Sequence, residues 1–569
     1  MYLIMILASL VSCSKMLEEE PKGMINESFL SSEDGLKNLV LSQYYQSRLI
    51  VEDLRHLGEF PSDLMTKSLN SDEINNISDL NVNVMPTLSA YTDCWRNLYS
   101  SINNINFGLK VIQEKDDPSL NTIKGELSFL RAWFYLLVVE TWGKGAHFTI
   151  EPTTTVLTDG NQTSIDAFYT LILNDLKEAI VTLPESSAER GRITIPAAKS
   201  LKARALLALA GYDNETIIKS GIQSKQSLYL QVKELSDEVI NNYSYKLLDD
   251  YKAIFDTYNQ GNEEIIWAVQ FTGLEKFNTS GLSTGGHGLH RYWVGNYNKS
   301  ARTQEIIPRM YGHSIYYGRE YRHIMMTRYF LTLFNQKEDA RADGTIQTVW
   351  HALWDETEQT ENAFGLPVKN GRPTDTVLFK PLYDVDEITA AQYAKRGIAI
   401  DGLNHIYNQD GTPINAARSW YHTMTKHLDP SRKVPKDEAS HKEVIILRLG
   451  DMYLMAAESA LMLGDRTSAA RYIDQLRERA RLTPSALAVD ANKIDLDYIL
   501  DERARELGGE LLRWFDLKRT HKLVERVNAH NPDSKGITDV FELRPIPQSE
   551  LDKVTNREQF IQNPGYPTK

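Results

Sequence analysis

Over most of the first 250 residues apolar positions recur three and four apart, the period of helices with one buried face. SEDGLKNLVLSQYYQSRL (32–49) opens with Ser32 as N-cap and then sets Leu36, Leu39 and Val40 on one side. TDCWRNLYSSINNINFGLKVIQ (92–113) aligns Trp95, Leu98, Ile102, Ile105 and Leu109. GELSFLRAWFYLLVVETWG (125–143) is apolar nearly all the way round, which predicts a helix buried on several sides. Further helices are predicted over 164–184, over 195–211 with small Ala residues at its contacts and Gly211 closing it, and over 231–242. Residues 59–81, rich in Ser, Asn and Asp, read as a long loop.

From 251 to 440 the helical period mostly vanishes. Gly, Asn, His, Tyr and Trp become frequent, as in GLSTGGHGLHRYWVGNYN, and EEIIWAVQF (263–271) reads as a short strand. Helical spacing returns after 441. There AESALMLGDRTSAARYIDQL (457–476) has Gly464–Asp465 at a turn and Ala469 where two helices must approach, as in a TPR hairpin. The expected fold is all-α: a degenerate TPR-like helical-repeat scaffold, an α-solenoid, carrying a loop-rich ligand-binding lobe with a few short strands. Residues 33–250 and 441–569 form the scaffold and 251–440 the lobe.

The start is unlike either part. MYLIMILASLVSC ends an apolar run on Cys13, with Leu10 three residues and Ser12 one residue before it. That is a lipoprotein signal pattern: residues 1–12 are removed, Cys13 is acylated, and the polar, acidic 13–32 form a tether. No basic residue precedes the run. Beyond it no apolar stretch nears the roughly 18–20 residues of a membrane helix.

Composition narrows the function classes. The 569 residues are 42% hydrophobic and 24% charged, ordinary for a globular chain. The net charge of −13, with no basic stripe on any predicted helix, argues against nucleic acid as a partner. Two cysteines build no disulfide framework. HExxH and Walker motifs are absent, and no catalytic residues or cofactor are assigned. His287 and His290 lack a third ligand at zinc spacing, so no metal is assigned. The alternating charges of ERARELGGELLRWFDLKR (502–519) read as a structural ion-pair network, with Glu502 meeting Arg505 and Glu510 meeting Arg513.

Ligand candidates come from the loop lobe. Tyr292, Trp293, Tyr297, Trp350, Trp354, Trp420 and Tyr421 stand among Gly, Asn and Asp, outside helical stripes. An exposed aromatic face stacks on the C–H face of a sugar, and Asn296, Asn298 or Asp355 can bond its hydroxyls. Asp63, Lys67, Asn70 and Asp72 of the N-terminal loop add polar contacts.

CWRNLYSSINNINFGL, GELSFLRAWFYLLVVETWG, HKEVIILRLGDMYLMAAESAL, ILDERARELGGELLRWFDLKR, LRPIPQSEL and NPGY occur in the order of the SusD/RagB family, which the chain therefore resembles over nearly its whole length. The resemblance implies a surface lipoprotein of Bacteroidetes, anchored to the outer membrane, that binds a glycan without chemistry. Its implied partner is a SusC-like TonB-dependent barrel, to which it delivers the oligosaccharide. A TPR adaptor for proteins and a surface glycanase are the alternative readings.

Overall fold

The structure is a computed structural model. It describes residues 29–567 except residue 30 and segments 69–71, 153–158, 273–285, 298–300, 307–312, 354–359, 362–366, 370–372, 382–384, 416–417 and 436–438. Cys13, Asn70, Asn298, Trp354 and Asp355 lie outside the described residues.

Six long helices build the first half: α1 (Glu33–Leu54), α2 (Ser89–Lys115), α3 (Asn121–Trp142), α4 (Ile165–Thr182), α5 (Ile195–Leu209) and α6 (Lys225–Asn242). Ser32 caps α1, its hydroxyl accepting from the Gly35 N–H at 3.0 Å. Each helix packs on the next, α1 on α2 through α5 on α6. In α3 eighteen of the 22 residues are buried and leave almost no solvent face: Phe129, Leu130, Phe134 and Val138 all have zero exposure. The alanines of α5 at 197, 198, 203 and 205 are equally buried, and their small side chains bring its neighbours close.

The stack then continues where the sequence does not. α6 packs on α7 (Leu449–Met462), which follows it only after residues 243–448. The lobe is thus an insertion between two spatially consecutive scaffold helices. α7 pairs with α8 (Arg466–Glu478) as a TPR hairpin, turned at Gly464 with φ +86°, and with α9 (Leu496–Leu507). α10 (Arg513–Arg519) follows the Gly508–Gly509 break.

Strands are few and short: β1 (Met65–Lys67), β2 (Ile265–Val269), β3 (Ile324–Met326), β4 (Trp350–Leu353), β5 (Pro373–Pro381), β6 (Ala399–Asp401) and β7 (Val444–Arg448). β2 and β7 run antiparallel and form the neck through which the chain leaves and re-enters the stack. β5 lies between β4 and β6 inside the lobe. The stretch 59–81 is not one long loop: it holds β1, which pairs with β3 of the lobe, and a helix at Asp72–Ser78. Its polar composition hides Leu64, Met65, Ile74 and Ile77, all buried.

The neck is locked by charge. Arg448, at the end of β7, is buried and donates from Nε to Glu510 (2.7 Å) and from Nη1 to Glu506 (2.7 Å) and Glu264 (2.9 Å). Arg341 of the lobe reaches Glu502 (2.9 Å) and Glu506 (3.1 Å), and Arg479 reaches Glu506 at 2.6 Å. Gly450 makes room, since a Cβ there would stand 2.2 Å from Arg448 Nη1. The expected Glu502–Arg505 pair forms at 2.8 Å. The expected Glu510–Arg513 pair does not: the Gly508–Gly509 break turns Arg513 away to Asp63, at 2.6 Å. Burial works against the charged form of Glu506, but Arg479, Arg448 and Arg341 outweigh it and hold its carboxyl down at about 2.

Glu506→Gln leaves buried guanidinium charge unbalanced and is expected to cost about 3–5 kcal/mol in urea unfolding at pH 7. A carboxyl whose folded value lies below its unfolded value of about 4.3 stabilises above that value and ceases to as pH falls towards 2. The gap between wild type and Glu506→Gln should therefore narrow steadily from pH 4.5 to pH 2.5, read as the two unfolding midpoints.

Candidate functional site

The lobe builds its own small core from the aromatics that the sequence offered as ligand platforms. Trp350, with zero exposure, packs on Phe379 of β5 (5.1 Å between ring centres), Tyr297 (5.6 Å) and Tyr317 (6.0 Å). Trp293 stacks on His427 at 5.0 Å. Tyr292 is covered by the Arg55 guanidinium at 4.3 Å and donates its hydroxyl to Glu52 at 2.7 Å. Trp420 keeps 9% of its surface, and Tyr421 and Asn296 are buried beside it. These faces are occupied by protein and present nothing to a sugar. The physical reason is that a lobe poor in helices still needs a core, and Trp and Tyr bury the most surface per residue.

Asp63 is likewise buried. Its carboxylate accepts from Arg513 (2.8 and 2.6 Å) and Arg526 (3.0 Å). Burial opposes that charge, yet the two guanidiniums hold the carboxyl below its ordinary value. Asp63 ties the N-terminal segment to the C-terminal helices. Lys67 pairs with Asp79, and Asp72 begins a surface helix.

What the lobe leaves open is a cleft of about 600 Å³ lined by its own residues, with Asp250 at its border with the scaffold. One wall is the turn Tyr251–Phe255 with Asp256 and Thr257; the other is Ile346–His351, leading into β4. Phe255, Leu428, Ile346 and Tyr317 supply an apolar floor. Half-buried Tyr316, Gln347, Thr348 and His351 reach in from the side, and exposed Asp250, Lys252, Asp256 and Asp343 stand at the rim. A volume of this size, an apolar floor and a few placed polar groups is how small-ligand sites are built.

The walls are fixed from beneath. Lys442 is buried and its ammonium donates to three carbonyls, those of Phe255, Lys426 (2.7 Å) and Leu428 (3.4 Å), joining both sides of the cleft. Burial lowers this amine to about 8, so it carries its proton at neutral pH. Gln347 donates its N–H to the Thr423 carbonyl and Thr425 to that of Thr345, at 2.8 and 2.9 Å. The His351 N–H donates to the Tyr317 hydroxyl at 2.9 Å, holding β4 against the buried aromatic cluster.

None of Tyr316, Gln347 and His351 was picked out from the sequence. One signal was present: the Tyr316–Tyr317 pair lies in a turn closed by Gly318, at φ +85°. Tyr317 goes inward while Tyr316 stays at the cleft.

Known proteins of this architecture match. A sequence model described as the SusD family covers residues 253–566, and one described as starch-binding associating with outer membrane covers 15–207. SusD-like protein P25 of Formosa agariphila is 24% identical over 92% of this chain and 90% of its own length. A SusD-like protein of Bacteroides ovatus is 22% identical over 74% of this chain and 64% of its own. Among solved structures, a laminarin binding SusD-like protein superimposes with a TM-score of 0.66 at 20% identity, over 94% of this chain and all of that one. Surface glycan-binding protein A of Bacteroides thetaiotaomicron, in complex with laminarihexaose, gives 0.63 at 17% identity, over 93% and 99%. With the helical stack, the inserted lobe and a family match across more than half of its length, this chain belongs to the SusD family.

Proposed function

We propose that the protein captures a glycan at the cell surface, without chemistry, and hands it to a TonB-dependent outer-membrane barrel of the SusC type. The carrying observation is the cleft between Tyr251–Thr257 and Ile346–His351, with its apolar floor and polar sides. A sugar ring laid along the cleft would place a C–H face on Tyr316. Gln347, Thr348, His351 and the rim carboxylates would then bond its hydroxyls. Such contacts exchange water for sugar at modest net gain per hydrogen bond, about 0.5–1.5 kcal/mol each. Capture is therefore reversible, as delivery to a transporter requires.

Support comes from outside the cleft as well. Relatives of the same fold are described by their binding of laminarin or laminarihexaose. A family description matching 15–207 associates such chains with the outer membrane. Acylation at Cys13 would supply the anchor, and several acyl chains hold where one binds only marginally.

Three outcomes are expected. In affinity electrophoresis against a panel of soluble polysaccharides, Tyr316→Ala and His351→Ala should each weaken binding about tenfold, ~1.4 kcal/mol, with thermal midpoints unchanged. Trp350→Ala should behave in the opposite way, losing about 3–5 kcal/mol of stability as a core truncation. Turnover of the polysaccharide, or binding indifferent to both cleft variants, would contradict the reading. Cys13→Ser should move the protein from the membrane fraction to the soluble one, read by fractionation and by the mass of the N-terminal peptide.

A further inference from the structure

Arg544, in the LRPIPQSEL stretch, differs from the other buried arginines of the scaffold. Arg341, Arg448, Arg503 and Arg513 face carboxylates. Arg544 is 1% exposed and, among the described residues, has no carboxylate within 4 Å. One face of its guanidinium lies on the Trp514 ring, 3.7 Å from the ring centre. Its Nη2 reaches the His56 carbonyl at 3.4 Å. Its Nε and Nη1 have no hydrogen-bond partner.

The groups around it are also unmatched. Both ring nitrogens of His56, the hydroxyl of Tyr91 and the hydroxyl of Thr141 are buried and unpartnered. The backbones of Thr141 and His56 and the ring of Tyr91 lie against Arg544. The Arg544 backbone N–H donates to the Thr141 carbonyl at 2.7 Å, its guanidinium carbon is 5.9 Å from the Tyr91 ring centre, and its Nη2 faces the His56 carbonyl. They come from four places: the turn just after α1, α2, α3 and the C-terminal segment.

The set carries one cation without a carboxylate partner, beside hydroxyls and a neutral imidazole that can each donate one hydrogen. A guanidinium only donates. Burial, then Arg55 and His323, holds His56 well below the usual imidazole range, so the neutral ring offers one N–H. Burial pushes the Tyr91 phenol up, so it keeps its O–H. Thr141 adds a second hydroxyl. A buried cation without a counter-charge costs several kcal/mol, and each orphaned buried donor adds about 1–3 kcal/mol. A small anion answers both.

We propose that this cluster is a structural binding site for a monovalent inorganic anion, chloride being the common case. The anion takes an N–H from Arg544 and hydroxyl hydrogens from Tyr91 and Thr141. It neutralises the guanidinium and stitches the C-terminal segment to the first three helices. The site is separate from the glycan cleft and does not rest on that reading.

Two measurements on the purified protein test it. Crystals soaked in sodium bromide, with data collected at the bromine edge, should give an anomalous peak touching the Arg544 guanidinium. In thermal denaturation at fixed ionic strength, replacing gluconate by chloride should raise Tm and saturate. Tyr91→Phe, which keeps the ring and removes one donor, should raise the half-saturating chloride concentration about tenfold while matching the wild-type Tm in gluconate. Arg544→Gln, if it folds, should lose the chloride response altogether; if it does not fold, Tyr91→Phe carries the test. Ordinary water with no bromide peak, or a Tm that follows chloride and gluconate alike, would overturn the proposal.

Discussion

Arg448 holds the lobe at its neck. The chain leaves the helical stack after α6 and returns at α7, and the neck between β2 and β7 is all that carries it across. Two paired strands of five residues are marginal by themselves. The guanidinium of Arg448 joins Glu264 beside one neck strand to Glu506 and Glu510 of the scaffold, while Arg341 brings in the lobe. Every carboxylate in the set faces more than one cation or backbone donor, so burial does not expel the charges. Such a network fixes geometry more than it adds stability: an apolar replacement of equal shape can be as stable, yet removing one partner is severe. Geometry is what an inserted lobe needs.

That constraint explains where the open space lies. The lobe's aromatic cluster around Trp350 packs tightly and leaves no platform, while the two lobe segments beside it stay apart as a cleft. Lys442 donates to the Phe255 carbonyl on one wall and the Leu428 carbonyl in the floor, so a buried ammonium sets the width of the cleft. A binding site whose walls are tied by buried hydrogen bonds keeps its polar groups placed before ligand arrives, which lowers the cost of binding.

The sequence made the scaffold legible because helices announce themselves by period. Ser32, the apolar girdle of 125–143 and the Gly464–Asp465 turn all stand where the pattern put them. It misled in two places for one reason: composition reports polarity, and polarity does not report burial. Residues 59–81 look like a solvated loop, but Asp63 is polar because two buried arginines need it, and β1 pairs with the lobe. Trp293 and Trp350 look like sugar platforms because they sit among Gly and Asn. They are instead the core that such a segment requires. Likewise, the pairing of Glu510 with Arg448 instead of Arg513 spans 62 residues and is invisible to helical spacing.

A crystal structure of the protein with a bound oligosaccharide decides the central claim most directly. The account places sugar density between Tyr251–Thr257 and Ile346–His351, in contact with Tyr316 and His351, with the lobe unmoved relative to α7 and α9. An ordered sugar on another surface, with only water in the cleft, would contradict it.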